Sequence, residues 1–228
     1  MKVFTINAYP ERRNKYDDNY IMYPARWWED ITDIEVDKLH FRYNCKIPLR
    51  KKITACCLSH LGMIQKIIDD DLKDVVIIED DTIIKDFELL EEVIHLLPDE
   101  FCYIGGQINA PKVKDYLSFT KQDKKEVIDH ISNDNNLIQT IDPNVFRITH
   151  ACGYYIPNKI VAQQLLSSIE EVYKGRKLRA IDVIFHELQK KQIIKYFVFP
   201  ALATLYLPDA NQGFTYSTYK LEDDQSKY

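Results

Sequence analysis

Three consecutive acids, Glu79, Asp80 and Asp81, stand directly after the apolar run VVII at 75–78. Carboxylates this close repel one another, so a compensating cation is expected beside them. Their oxygens suit hard cations such as Mg²⁺ or Mn²⁺, and such a cation can neutralise a diphosphate. The spacing therefore indicates a metal site. Two alternatives stay open: a solvated turn with an acid that caps the next helix, and a phosphatase or receiver-like pocket.

The neighbouring segments predict the elements that position these acids. Residues 54–68 place apolar side chains at three- and four-residue steps, which is typical of an amphipathic helix. An uninterrupted apolar run such as 75–78 is typical of a strand buried in a parallel sheet, and 87–97 predicts a second amphipathic helix. Ligands of open α/β sheets bind outside the carboxyl ends of the strands, so the acids stand where a functional site is expected.

The rest of the pattern predicts an α/β sandwich with a mainly parallel sheet, because strands and helices alternate along the chain. Further strands are expected at 2–6, 101–104, 145–149, 152–156 and 194–199, and further helices at 158–173 and 182–191. We interpret 1–220 as a single domain and 221–228 as a flexible tail. The polar segment 107–144 has no clean period, and we interpret it as a lid or acceptor-binding insertion.

Composition narrows the possible partners and the compartment. The formal net charge is -5 without a long basic block, which argues against nucleic acid as a partner. The beginning of the sequence lacks a signal-peptide pattern, and no apolar run approaches the length of a spanning helix. The 5 cysteines are odd in number and lack zinc-like spacing, which fits reduced thiols. We therefore expect no membrane span and a cytoplasmic protein, peripheral to a membrane where its acceptor is lipid-linked.

Three segments occur in an order that resembles glycosyltransferase family 25. ACCLSHLGMIQKIIDDDLKDVVIIEDDTII at 55–84 is similar to the family's "A-x-x-x-S-H" helix, acidic turn and strand ending in "E-D-D". TINAYPERR at 5–13 resembles its first strand and "I-N-x-x-x-x-R" loop. THACGYYIPNKIVAQQLL at 149–166, with RAIDVIF at 179–185, resembles its "A-Y-x-I-S-x-x-A-x-x-L-L" and "P-I-D" blocks. Together the segments span most of the chain.

The resemblance implies a fold, a reaction and a metal site. The fold would be a GT-A-type, Rossmann-like three-layer sandwich, and the reaction would transfer a sugar with inversion from a nucleotide sugar. The donor is usually a UDP-sugar, and the acceptor would be a hydroxyl of a glycan or glycoprotein. By this resemblance Asp81 is the main ligand of Mn²⁺ or Mg²⁺, and Glu79 is a second ligand or lies beside it. Asp80 contacts the ribose or donor sugar, and Asp209 replaces the histidine common near the end of such chains.

The resemblance also implies a general base and further donor-binding residues. Asp182, in the "P-I-D" block, would take the proton of the acceptor hydroxyl; the alternative is a helix N-cap. The donor-binding residues would be Ile6, Asn7, Arg12, Arg13, Ser59, His60, Glu79, Asp80 and Gly153. The arginines suit phosphate oxygens. Ser59 and His60 would contact the donor or support the acidic loop, and Gly153 would let the backbone approach donor or acceptor.

Departures from the family pattern limit what can be transferred. Pro157 and Ala180 replace the family's serine and proline, and 107–144 has no counterpart, so sugar and acceptor specificity do not carry over. A catalytically silent sugar-nucleotide or glycan-binding domain is the alternative function. A receiver-like phosphatase would need an acid after the first strand, where Asn7 stands. The tyrosines proposed to face acceptor sugar rings are Tyr154, Tyr155, Tyr216 and Tyr219. Oligomeric state is left open.

Overall fold

The structure, a computed structural model, describes residues 1–9, 17–41, 45–84, 86–105, 108–109, 138–140, 147–148, 151, 153–198 and 202–205. The strands are β1 (Lys2–Asn7), β2 (Tyr20–Pro24), β3 (Val75–Glu79), β4 (Thr82–Ile84), β5 (Cys102–Tyr103), β6 (Ile108–Asn109), β7 (Ile138–Thr140), β8 (Arg147–Ile148), β9 (Gly153–Ile156), β10 (Tyr196–Val198) and β11 (Ala203–Leu205). The helices are α1 (Asp33–Val36), α2 (Ile47–Asp69), α3 (Phe87–Ile94), α4 (Lys159–Val172) and α5 (Ile181–Lys190), with a 3₁₀ turn at Trp28–Asp30.

Among these residues the central sheet has seven strands in the order β2-β1-β3-β9-β5-β10-β7. β1 pairs in parallel with β2 and β3, and β5 pairs in parallel with β10. β9 runs antiparallel to both of its neighbours, and β7 runs antiparallel to β10. Five strands therefore share one direction, which confirms the predicted mainly parallel sheet. Two small ladders, β4 with β11 and β6 with β8, lie outside it.

Helices cover both faces of the sheet, and the alternation of β3 side chains shows why. Val75 and Ile77 belong to one core cluster with residues of α2, α4 and α5. Val76 and Ile78 belong to a second cluster with residues of α3. All four side chains are fully buried, and burying a side chain of this size contributes about 1.5–3 kcal/mol. The result is the three-layer sandwich predicted for a GT-A-type fold.

The helix before the acidic strand is longer than predicted. α2 begins at Ile47 and not near residue 54, because Pro48 is compatible with a first helical turn. Its first seven residues, IPLRKKI, are exposed or half-buried and carry no apolar stripe, so hydrophobic periodicity could not detect them. The helix ends at Asp69, and Asp71 closes the following turn with a positive φ of 51°.

Several short elements were not predicted or differ from the prediction. β2 is an edge strand with half-exposed residues, and β4 and β11 have three residues each, too few for a clear period. The strand expected at 145–149 is described only at 147–148, where β8 pairs with β6 and not with the central sheet. Most of 107–144 and the whole of 221–228 lie outside the described residues, so the lid interpretation and the flexible tail stay predictions.

Two glycines and an alanine pack closely where strand ends meet. A Cβ on Gly153 would lie 2.8 Å from the Cβ of Ala203, and one on Gly105 would lie 2.7 Å from it. The Cα atom of Gly153 would also lie only 3.3 Å from that second Cβ. Three backbone segments therefore meet where a side chain larger than hydrogen does not fit. This packing accounts for Gly153, which was predicted to admit the donor or acceptor.

Substituting Gly153 by alanine should destabilise the fold. The added methyl group meets Ala203 across the strand ends, where only backbone movement can relieve the overlap, so we expect a loss of about 1–3 kcal/mol in the free energy of unfolding. Urea denaturation measures the effect. The matched control is Gly62→Ala in α2, whose new Cβ meets only the hydroxyl end of Tyr23 at 2.9 Å. Because alanine is the better helix former, the control should be as stable as wild type or more so. Equal stability of Gly153→Ala and wild type would contradict the packing argument.

Candidate active site

The three acids lie at one edge of the sheet, together with the loop that follows β1. The register pairs Ile6 with Glu79 and Ile78 with Gly153, so the ends of β1 and β3 and the start of β9 are adjacent. Asp80 and Asp81 form the turn between β3 and β4. The N-cap of α3 is Asp86, which accepts a hydrogen bond from the Leu89 amide. The capping alternative for the acidic triplet is therefore wrong.

Asp80 fastens the loop after β1 to the acidic turn. Its carboxylate is 5% exposed, and its Oδ2 accepts hydrogen bonds from the amides of Ala8, at 2.8 Å, and Tyr9, at 2.9 Å. Hydrogen bonds to an ionised acceptor are stronger than neutral ones, so this is a firm attachment. The contact of Asp80 with a ribose or donor sugar stays a prediction.

Glu79 points to the face of the sheet that α2 covers, in line with the alternation that places Val75 and Ile77 there. Its Oε1 lies 3.1 Å from Nε2 of His60 and accepts a longer contact, at 3.6 Å, from the Cys56 thiol. The other ring nitrogen of His60, Nδ1, lies 2.7 Å from the Tyr154 hydroxyl. The Glu79 side chain is 25% exposed, so it connects the buried cluster with the surface.

Ser59 and His60 are on the buried face of α2, under the acidic strand. His60 is fully buried and Ser59 is 1% exposed. The Ser59 hydroxyl donates to the Ala55 carbonyl and accepts from the Arg26 amide, which attaches α2 to the chain that follows β2. Of the two interpretations from sequence, donor contact or support of the acidic loop, the contact of His60 with Glu79 favours support for His60, and the role of Ser59 stays a prediction.

The two thiols and the phenol near Glu79 are held in their protonated forms. Burial, and then the charge of Glu79, raises the pKa of Tyr154 and of the Cys56 thiol well above their ordinary values. Burial, and then the charge of Asp182, raises the pKa of Cys57 to about 12. The thiols and the phenol are therefore protonated at neutral pH and can act as hydrogen-bond donors.

Asp182, at the start of α5, lies close enough to the same cluster for its charge to act on Cys56 and Cys57. It is half-buried in the first turn of α5, whose N-cap is Ala180 without a side-chain hydrogen bond, so the N-cap alternative for Asp182 is wrong. The charge of Asp182 contributes to the raised pKa of both Cys56 and Cys57. The Cys57 thiol donates to the Arg179 carbonyl just before this helix. These contacts bring the start of α5 to the side of α2 that faces the acidic strand.

The donor set at the strand end fits a hard cation. Glu79 and Asp81 are both half-exposed carboxylates at the carboxyl edge of the sheet, and carboxylate oxygens are the ligands that Mg²⁺ and Mn²⁺ prefer. The Asp81 carboxylate also accepts a hydrogen bond from the neighbouring Thr82 hydroxyl at 3.4 Å. A second grouping, with ligand atoms within 4.8 Å of one another, joins Cys56, His60 and Glu79.

Several predicted site residues have other positions. The Ile6 side chain is 6% exposed and belongs to the core, so it does not face a donor. Tyr154 and Tyr155 are 0% and 4% exposed, so the prediction that they face an acceptor sugar is wrong. The Asn7 side chain is also buried and donates to the Tyr9 carbonyl at 3.1 Å. Arg12, Arg13, Asp209, Tyr216 and Tyr219 lie outside the described residues.

Sequence reasoning missed two residues at this edge, Tyr9 and Cys56. The Tyr9 ring packs edge-on against Trp27 with centroids 6.0 Å apart, and Trp27 lies beside Trp28. Tyr9 and both tryptophans are half-buried, and the Tyr9 amide bonds Asp80 in the acidic turn. A signal existed for Tyr9, because it is the second residue after the first strand. Cys56 had none, since a cysteine in a helix usually fills space.

The family model for glycosyltransferase family 25 (LPS biosynthesis protein) matches residues 9–185. This match includes the acidic turn, the buried cluster and Asp182, and it covers far more than half of the 228 residues. The chain belongs to glycosyltransferase family 25. This family member is therefore a glycosyltransferase, with a sugar donor and an acceptor as substrates. No curated protein matches it. Among the described residues of the glycosyltransferase, no helix is long and apolar enough to cross a membrane.

Removing the Asp80 carboxylate should release the loop after β1. Asp80→Ala leaves the amides of Ala8 and Tyr9 without their acceptor, and an unmade bond to a buried group costs about 1–3 kcal/mol. Amide hydrogen exchange at Ala8 and Tyr9 should therefore accelerate by one to two orders of magnitude. Asp81→Ala is the matched control, because it removes a charge from the same turn without removing an acceptor of these amides. Unchanged exchange in Asp80→Ala would contradict the attachment.

Proposed function

We propose that this glycosyltransferase moves a sugar from a nucleotide sugar, a UDP-sugar in the first instance, to a hydroxyl of a glycan or glycoprotein acceptor with inversion. One observation carries the proposal: two half-exposed carboxylates, Glu79 and Asp81, stand at the carboxyl edge of the sheet, and Asp182 approaches the cluster beneath them. A site that must hold a metal-bound diphosphate and deprotonate a nucleophile needs these two functions close together.

The chain offers ligands for Mn²⁺ or Mg²⁺ at the acidic turn. Asp81 would be the main ligand and Glu79 a second one, while Asp209 is proposed as a third from the sequence alone. When bound, the cation stabilises the negative charge that grows on the leaving diphosphate. Every other part of the reaction depends on the residues of the chain.

Asp182 is the proposed general base. Its carboxylate takes the proton of the acceptor hydroxyl while the hydroxyl oxygen forms a bond to the anomeric carbon. The bond between that carbon and the donor diphosphate breaks at the same time, and its electron pair leaves with the diphosphate. Attack from the side opposite the leaving group inverts the anomeric configuration, so no covalent enzyme intermediate is needed. The first turn of α5 favours a negatively charged side chain at this position.

The loop after β1 is the proposed nucleotide-binding segment. Asp80 fixes its first amides, so the chain enters the loop from a defined position. Arg12 and Arg13 would contact the phosphates further along, and guanidinium groups bind phosphate oxygens in a bidentate manner. The partly exposed rings of Tyr9 and Trp27 offer an aromatic surface for a nucleobase or a sugar ring. We place the enzyme in the cytoplasm, peripheral to a membrane where its acceptor is lipid-linked.

Donor binding should depend on a divalent cation and on Asp81. We expect a UDP-sugar with Mn²⁺ to raise the melting temperature, because a ligand at 100 times its Kd adds about 2.7 kcal/mol. For a chain of this size this corresponds to a shift of about 5–10 °C. The wild type should also hydrolyse the donor slowly. Asp81→Asn and chelation by EDTA should each abolish both the shift in melting temperature and this hydrolysis. Asp37→Asn, an exposed acid at the end of α1, is the control and should behave like wild type. If no nucleotide sugar stabilises the wild-type protein, the proposal fails.

Asp182→Asn should separate binding from turnover. The variant retains the size of the side chain but cannot accept the proton, so kcat should fall by about 10²–10⁴ while donor affinity is unchanged. Asp33→Asn, which removes an acid from the first turn of α1, is the matched control and should retain full kcat. Titration calorimetry with donor and a transfer assay measure the two quantities. Weakened donor binding with unchanged kcat would contradict the proposal that Asp182 is the general base. A wild type that binds donor without turnover would indicate a silent binding domain.

A further inference from the structure

A continuous chain of hydrogen bonds joins β9, α2 and β3 beneath the acidic turn. It runs from the Tyr154 hydroxyl to Nδ1 of His60, at 2.7 Å, and from Nε2 of His60 to Oε1 of Glu79, at 3.1 Å. Tyr154 and His60 are fully buried, whereas Glu79 is partly exposed. These hydrogen bonds therefore connect the core of the protein with a single carboxylate, that of Glu79, at the site.

The partners assign a direction to these bonds. Burial keeps the pKa of Tyr154 well above its usual value, so its hydroxyl carries a proton and can donate to Nδ1 of His60. An ionised carboxylate can only accept, so we assign the donating hydrogen to Nε2, which faces Glu79, and the acceptor role to Nδ1, which faces Tyr154. Both donors and both acceptors are satisfied in this arrangement, as buried polar groups require.

Aromatic packing fixes the inner end of the chain. The Tyr154 ring stacks on Phe101 with centroids 5.3 Å apart and meets Phe185 edge-on at 5.1 Å. All three rings belong to the core cluster between the sheet and α2, α4 and α5. A hydroxyl held in this way gives His60 one preferred ring orientation, because rotation of the imidazole would break both of its hydrogen bonds.

We propose that His60 is a positioning residue for Glu79, and that Tyr154 sets the tautomer and orientation of His60. By holding one carboxylate oxygen of Glu79, His60 fixes how the carboxylate presents itself at the acidic edge. The inference rests on the proposed function, in which Glu79 is the second ligand of the divalent cation. Residues that orient a metal ligand typically change metal affinity or activity by about 10–100-fold when removed.

The competing arrangement is a metal centre formed by Cys56, His60 and Glu79 themselves. Their ligand atoms lie within 4.8 Å of one another, and thiolate and imidazole ligands would suit Zn²⁺ better than Mg²⁺. That centre would require both the thiol of Cys56 and a ring nitrogen of His60 as ligands. The positioning role requires only the donor on His60, so substitution of Cys56 distinguishes the two arrangements.

Two amide substitutions of His60 separate its two ring nitrogens. In His60→Gln the side-chain amide can reach the place of Nε2 and still donate to Glu79. In His60→Asn the shorter side chain reaches only the place of Nδ1, so it can accept from Tyr154 but leaves Glu79 without its donor. We expect Mn²⁺ affinity, measured by electron paramagnetic resonance, and kcat with a UDP-sugar to fall about 10–100-fold in His60→Asn. His60→Gln should recover most of both, and the KM for acceptor should not change.

Tyr154→Phe tests the inner bond without leaving a cavity. Loss of the hydroxyl should change the ¹⁵N shift of His60 Nδ1, which in wild type should be that of an unprotonated nitrogen accepting a hydrogen bond. Mn²⁺ affinity should fall less than in His60→Asn, and the double variant should be no weaker than His60→Asn alone, because both act through Glu79. Urea midpoints establish that each variant is folded. If His60→Asn does not fold, the inference is tested by Tyr154→Phe, through the ¹⁵N shift of His60 Nδ1 and the Mn²⁺ affinity.

The outcomes separate this inference from the function on which it rests. A wild type that binds no Mn²⁺ overturns the proposed function, and the inference with it. A wild type that binds Mn²⁺, with His60→Asn folded and equal to it in affinity and kcat, overturns the inference alone. A loss of Mn²⁺ affinity in Cys56→Ser as large as in His60→Asn would assign the three residues to a metal centre and also overturn the positioning role. Near wild-type affinity in Cys56→Ser supports that role.

Discussion

The two-residue alternation of β3 is the constraint on which the site depends. It buries Val75 and Ile77 on the α2 side and Val76 and Ile78 on the α3 side, which leaves the strand no freedom to rotate. Glu79 continues the α2 side and meets His60, whereas Asp80 lies in the turn and reaches the loop after β1. A slip of one residue would exchange the two faces, and the acids would lose their partners. Core packing therefore decides which neighbour each acid has.

The local part of this arrangement could be predicted from the sequence. An apolar run that ends in acids indicates a buried strand with functional groups at its end, and the three-layer fold follows from alternating periods. Partners far apart in the chain could not be predicted, because single-sequence patterns contain only local spacing. His60 and Tyr154 are 94 positions apart, and Ala8 and Asp80 are 72 apart. The first contact lies beneath Glu79, and the second attaches the acidic turn to the loop after β1.

Polar residues on buried faces were also predicted wrongly, because local sequence patterns do not show their partners. Hydrophobic periodicity detects the apolar stripe of α2, yet the buried face of this helix also contains Thr54, Ser59 and His60. Thr54 and Ser59 donate to backbone carbonyls one turn earlier in the helix, and His60 bonds the Tyr154 hydroxyl. Tyr154 was expected to face a sugar because aromatic rings suit the apolar sides of sugar rings, but the antiparallel β9 places it in the middle of the sheet. A polar atom on a buried residue is tolerated where a partner meets it, and only the fold shows whether one does.

The buried cluster also limits how charge can be arranged at the site. Three ionised acids close together would repel one another, and further ionised groups beneath them would add to that cost. The protein keeps the two thiols and the phenol protonated, so the interior adds no negative charge beneath Glu79, and the Cys56 thiol can donate to it. Asp80 is compensated by two backbone amides. These arrangements hold the acids in place and support the divalent cation proposed to bind at Glu79 and Asp81, which would relieve the repulsion between them.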